Sequence, residues 1–168
     1  MEIIDIKTRK NIWRYISQCI LATGTILAIL FFLDVLTETA IIAALGASAF
    51  IVFTMPNTYS SDPRRLIGGY FFGIITGVIF NFLSENIEII NFIGGNTSLI
   101  VFGALSTGVA IFLMTITNTE HAPAAGVALG LVINSWDYMT IIFILCAILL
   151  MAIIRKILRP KLMNLSST

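Results

Sequence analysis

The chain contains a single histidine, His121, placed between Glu120 and Ala122-Pro123 at the start of a short apolar run, Ala122–Ser135. Ionisable groups in or beside membrane segments are costly to bury and are functional candidates by default. An imidazole titrates near neutral pH, so His121 can carry a coupled proton; its bland role is a hydrogen-bonded cap. Glu120 would repel an anion when ionised. Its expected work is to hold a proton, pair with His121, or cap the following helix. Pro123 reads as the first residue of that helix, where its missing N–H costs nothing. A second short run, Ala40–Met55, contains Gly46-Ala47-Ser48-Ala49, and Ser48 offers a hydroxyl, as do Thr39 and Thr119. Arg64 and Arg65 can draw an anion to a mouth; their bland role is to mark topology and touch lipid headgroups. Cys19 and Cys146 sit in apolar runs without metal-ligand spacing. Neither a disulfide framework, a metal site nor a cofactor is therefore expected. The chain has no HExxH, no GxSxG and no paired intramembrane aspartates, so an enzyme is not expected.

These residues share a physical logic. A segment of 13 to 16 residues is too short for a comfortable helical crossing, which takes about 20. Part of each short run is then expected to be extended, with a helix starting inside the membrane. The first N–H groups of such a helix are unsatisfied, and its start carries roughly half a positive charge. Two facing starts form an anion site without lysine or arginine. The expected site is backbone N–H near Ala44–Ser48 and Pro123–Gly126. Its substrate-binding residues are Gly46, Ala47, Ser48, His121, Pro123, Ala124 and Gly126, with Glu120 and Arg64 as proton or entry residues.

The elements that must position them follow from composition. Of 168 residues, 58% are hydrophobic and 11% charged, against roughly 25% charged in a soluble domain. Too little polar surface exists for a soluble enzyme or a disordered tail. A net charge of +1 gives no field for nucleic acid. The expected class is an all-α integral membrane protein with one domain over residues 1–168. Four runs are long enough to cross: Ile16–Leu33, Leu66–Leu83, Ser98–Thr117 and Tyr138–Ile154. With the two short runs this gives six crossings, or four spans plus two re-entrant segments. Six crossings put all ten basic residues on one side, in clusters around Lys7–Arg14, Arg64-Arg65 and Arg155–Lys161. Asp34, Glu38, Glu85, Glu88 and Asp137 fall on the other. The positive-inside rule thus favours six, with residues 1–15 and 156–168 cytoplasmic. No cleavable leader is expected, and a bacterial inner membrane fits the short N-terminus.

Each half reads long, short, long. Thr37, Thr39, Ala44 and Gly46 match Thr117, Thr119, Ala124 and Gly126 at an offset of 80. Three crossings per half would invert residues 98–155 relative to 16–83, a pattern that points to a transport site near the midplane. Gly69, Gly73 and Gly77 form a small-residue row suited to close helix packing, within the chain or in a homo-oligomer. Trp13, Tyr15, Trp136 and Tyr138 read as interfacial anchors. Asn81 and Asn118 are expected to bond across helices.

The motifs resemble the HPP family of small integral membrane proteins, named for His-Pro-Pro. In the second half the match is His121-Ala122-Pro123-Ala124-Ala125-Gly126, continuing through Ala128-Leu129. In the first it is Gly46-Ala47-Ser48-Ala49, Phe53, Pro56, Pro63-Arg64 and Ile67-Gly68-Gly69. The likeness runs from about Ala40 to Leu131. Ala122 replaces the middle proline, Tyr70 stands where the family often has histidine, and Asp62 where glutamine is usual. The family is usually described with four transmembrane helices. Its plant and cyanobacterial members have been linked to nitrite transport, so the resemblance implies small-anion transport and singles out Arg64 over Arg65. A non-transporting membrane scaffold is the alternative. A polar cavity at the starts of the short segments would favour transport; a packed, dry junction would count against it.

Overall fold

The computed structural model describes residues 12–32 and 39–165. Expectations on Lys7, Arg9, Lys10, Asp34, Thr37 and Glu38 lie outside the described residues, as do those on the side chains of Tyr15 and Thr39. The regular elements among the described residues are all helical. In chain order they are α1 (Ile12–Phe32), α2 (Thr39–Thr54), a 3-10 turn (Tyr59–Ser61), α3 (Pro63–Ser84), α4 (Ile87–Ile93), α5 (Gly95–Ile116), α6 (Ala122–Ile133) and α7 (Tyr138–Leu158). Helices α3, α5 and α7 are long and apolar enough to cross a membrane, and α2 and α6 are shorter apolar helices. A helix satisfies its own backbone, which hydrocarbon cannot do. Large apolar side chains such as Ile79, Phe112 and Leu149 point outward, a surface suited to lipid rather than water.

The short segments are not broken as expected. Helix α2 runs through 16 residues without interruption, about 24 Å at 1.5 Å per residue. Its sequence holds no proline, and Gly46 alone weakens it. One glycine costs a helix about 1 kcal/mol, too little to break this one. Residues 44–48 are therefore helix interior. Helix α6 has 12 residues, about 18 Å, and is entered through a non-helical stretch in which Asn118 takes a left-handed turn at φ 56°. The connection between α3 and α5 also carries the short helix α4, started by the Asn86 side chain accepting from the Glu88 and Ile89 N–H groups.

Hydrogen bonds fix how the helices run. Gln18 near the start of α1 donates to the Phe53 carbonyl at 2.6 Å and the Met163 carbonyl at 3.0 Å. The Leu165 N–H donates to the Thr54 carbonyl, and Asn164 Oδ1 accepts from the Asn57 N–H. The start of α1, the end of α2, the start of α3 and the end of α7 thus share one end of the bundle. Arg14, Arg64, Arg65, Arg155, Lys156, Arg159 and Lys161 gather there. At the opposite end Ser98 caps onto the Ser84 carbonyl and Phe82 packs edge-on to Trp136, near Glu85, Glu88 and Asp137. The bundle thus has a basic end and an acidic end.

Helix α6 is wedged against α3, and the glycine row makes room for it within the chain. A Cβ at Gly69 would strike His121, at Gly73 the Ala124 carbonyl, and at Gly77 Leu131. Across α6, Gly130 sits on Ala40 and Ile41 of α2. Asn81 does not bond across helices as expected; its amide reaches Glu85, one turn on, at 3.4 Å.

Candidate functional site: a buried tyrosine–serine–histidine chain

Three helices deliver one polar side chain each to the core. On α2 the buried positions are Ile41, Ala44, Leu45, Ser48, Ala49, Val52 and Phe53, a helical stripe that carries Ser48 inward. On α3 the stripe of Leu66, Gly69, Tyr70, Gly73, Ile74 and Gly77 carries Tyr70. His121 is the residue before α6, in extended geometry. Ser48 and Tyr70 are fully buried and His121 is 1% exposed.

Their hydrogen bonds form a chain with a direction. Tyr70 Oη lies 2.7 Å from Ser48 Oγ, and Ser48 Oγ lies 2.8 Å from His121 Nε2. His121 Nδ1 lies 3.0 Å from the Ser60 carbonyl oxygen. A carbonyl only accepts, so Nδ1 carries the hydrogen and Nε2 of the neutral ring accepts from Ser48. Ser48 in turn accepts from the Tyr70 hydroxyl. Such a chain can pass a proton by switching its hydrogens. The Ser48–His121 contact also has the length of a nucleophile and its base. Here, however, the hydroxyl is shared with Tyr70, and the neighbouring N–H groups of α2 are spent within the helix.

The chain lies a little to the basic side of the bundle's middle: Tyr70 is about 5 Å from the centre of α3 and Ser48 about 2 Å from that of α2. Tyr70 is five residues from Arg65 along α3, about 7.5 Å, while the whole helix spans about 33 Å. Above it sits a second cluster. The Arg65 guanidinium donates to Glu120 Oε2 and, at 2.8 Å, to Asn118 Oδ1. The Tyr59 hydroxyl donates to Asn118 Oδ1 and, at 3.2 Å, to Glu120 Oε2, and the guanidinium lies over the Tyr59 ring. The Glu120 carboxyl is held below its ordinary value of 4.5, first by its own backbone N–H and then by Tyr59 and Arg65. Glu120 therefore turns to Arg65 and not to His121. Arg64 is exposed, and its N–H donates to the capping Asp62 carboxylate at 3.4 Å. Successive helical residues point about 100° apart, so only one of the two arginines can face this cluster.

A third group was not anticipated. Arg155 is 5% exposed and donates to the Pro56 carbonyl at 2.8 Å and to Ser61 Oγ at 3.1 Å. Its Nε is buried without a partner. Arg155 thereby clamps the turn whose Ser60 carbonyl orients His121. In sequence it reads only as one charge in the basic tail.

The expected backbone cradle is not formed. Ala47 is exposed, Gly46 has open space where a side chain would stand, and the N–H groups near Ser48 are internal to α2. At the start of α6, Pro123 has no N–H and Ala124 donates to the His121 carbonyl at 2.9 Å. Two of the four donors of an ordinary helix start are thus gone. Ala124 is buried against Gly73, and a Cβ added at Gly126 would only just touch Ala44, at 3.6 Å. Ser48 and His121 meet, Pro123 and Ala124 are buried in the first turn of α6, and α3 approaches that turn closely at Gly69 and Gly73.

The chain is 30% identical over 89 residues to a transmembrane protein of Dictyostelium discoideum. That match covers 53% of this chain and 28% of the relative, so the chain spans well under half of the relative's length. No solved structure matches. The family model described as HPP, transmembrane region, matches residues 7–161. On that match, which takes in every helix described above, this membrane protein belongs to the HPP transmembrane family.

Proposed function

We propose that the protein is a membrane transporter of a small inorganic anion, nitrite first among them, acting at Tyr70, Ser48 and His121. The observation that carries the reading is the buried polar chain itself. Three hydrogen-bonding side chains in an apolar core cost more to place than apolar residues of the same size. In membrane segments such groups mark ion and proton paths. The family resemblance, through its nitrite-linked members, supports the anion. Two hydroxyls and an imidazole can re-order their hydrogens to turn a donor toward a small monovalent anion. The tight junction counts against a permanently open channel, so the transport reading requires a carrier that opens by turns. The mouth is on the basic end, where the Arg65–Glu120 pair covers the chain.

The transport reading is joined to a topology. The six helices α1, α2, α3, α5, α6 and α7 cross in turn, so that α1–α3 and α5–α7 are inverted relative to each other. The basic end then faces the cytoplasm with both termini, in a bacterial inner membrane. One observation favours a second reading. The close contact of Ala124 with Gly73 suits a scaffold that never opens.

The test is anion uptake by the purified full-length chain in liposomes, run with nitrite, nitrate, formate and chloride beside protein-free vesicles. Uptake above the protein-free level that falls in His121→Ala is expected. Uptake at the protein-free level for all four anions, with the protein folded, leaves the scaffold.

A further inference from the structure

We infer that the Tyr70–Ser48–His121 chain takes up one proton with each anion, so that transport is an electroneutral symport. This rests on the transport reading of the same site. The hydrogens of the chain set the coupling. With neutral His121, the Tyr70 hydroxyl donates to Ser48, Ser48 donates to Nε2, and Nδ1 donates to the Ser60 carbonyl. Every donor has an acceptor, and the chain offers none to an anion.

A proton from the aqueous phase that adds to Nε2 reverses the order. Nε2 now donates to Ser48 Oγ, and Ser48 turns its hydrogen to Tyr70 Oη. The Tyr70 hydrogen has lost its acceptor and becomes a free donor in a buried place, which is unfavourable. An anion supplies that acceptor. It also cancels the imidazolium charge, which alone would be costly in the core. The protonated chain thus needs the anion, and the anion needs the protonated chain. On release both leave, Nε2 loses its proton to water, and the original order returns.

The surrounding charges favour this coupling. On α3 Arg65 is balanced by Glu120, and Asp62 is engaged at the start of the same helix. Helices α2, α5 and α6 carry no Asp, Glu, Lys or Arg. From α7, Arg155 stands behind Ser61, one residue from the Ser60 carbonyl. Burial of the ring itself opposes a proton on His121 while the site is empty.

The experiment uses full-length protein in liposomes that contain a pH-reporting dye, with the membrane potential clamped. Protein-free vesicles set the level of passive nitrous acid entry. An inward nitrite gradient is expected to drive proton entry with the anion at one to one, insensitive to the clamped potential. Tyr70→Phe keeps the ring and removes only the hydroxyl. It is expected to lower coupled proton entry by about tenfold or more, the scale of a lost hydrogen bond to a charged group. Ser48→Ala should act the same way. Nitrite entry that moves charge without protons overturns the symport and leaves transport standing. No nitrite entry above the protein-free level overturns both. Wild-type one-to-one entry in Tyr70→Phe and Ser48→Ala overturns the role of this chain.

Discussion

A methyl group at Gly69 tests how closely α3 must approach His121. A Cβ there would lie 2.8 Å from His121 Cβ and 3.2 Å from the Thr119 carbonyl oxygen. Carbon atoms in contact prefer about 3.5–4.0 Å, so His121 must retreat by about 0.7 Å or more. Taken along the Ser48–His121 bond, that retreat stretches 2.8 Å to about 3.5 Å, beyond a normal hydrogen bond. Overpacking of this kind costs about 1–3 kcal/mol. Replacing a helical glycine by alanine returns about 0.5–1 kcal/mol. Gly108 on α5 is the control, because nothing lies within 4 Å of a Cβ built there. Gly108→Ala should show only the gain. Unfolding in detergent should therefore place Gly69→Ala about 1–3 kcal/mol below Gly108→Ala. Because His121 is the only histidine, its ring nitrogens give unambiguous NMR signals. In Gly69→Ala the Nε2 signal should move toward that of a ring without a Ser48 partner. Equal stability of the two alanine variants, with an unmoved Nε2 signal, would refute the packing argument.

Ser48→Ala should destabilise the protein by about 1–3 kcal/mol for each buried group it leaves unpaired; the double variant with Tyr70→Phe should lose less than the sum, read by the same unfolding assay. The Glu120 carboxyl has a depressed pKa when folded, so its contribution is present above the ordinary carboxylate value and lost as pH falls through the lowered one. Glu120→Gln should remove this acid-side loss from a pH series of melting temperatures and lower stability at neutral pH, because Arg65 loses its anionic partner. Arg155→Met should loosen the turn at Pro56–Ser61 by removing hydrogen bonds from a charged donor, each worth about 1.5–3 kcal/mol. Faster amide exchange at Tyr59–Ser61 reports it.

The reach of the sequence differs from feature to feature. The apolar runs located the helices to within a few residues, because hydropathy alone decides what enters a bilayer. The glycine row at 69, 73 and 77 announced a close helix contact, and α6 fills it. Ser48 and His121 were legible as polar groups in apolar surroundings. Their contact was not, since it joins residues 73 apart through a packing no spacing encodes. Tyr70 stood out only as a departure from a family pattern, yet it completes the chain. Arg65 and Arg155 were hidden for a related reason. A basic residue at a helix end reads as a topology mark, and only the neighbouring helices decide which one is buried. The half-helix cradle does not form because a short apolar segment does not require a break. A continuous helix of 16 residues can instead be flanked by chain buried in the protein.

The central question is whether the buried chain moves anions. The most direct measurement is nitrite uptake by wild type and Ser48→Ala in matched liposomes, with both proteins shown to be folded by circular dichroism. Uptake by wild type well above protein-free vesicles, and a fall of about tenfold or more in Ser48→Ala, is the predicted result. Equal uptake by the two proteins, or none by either, would contradict it.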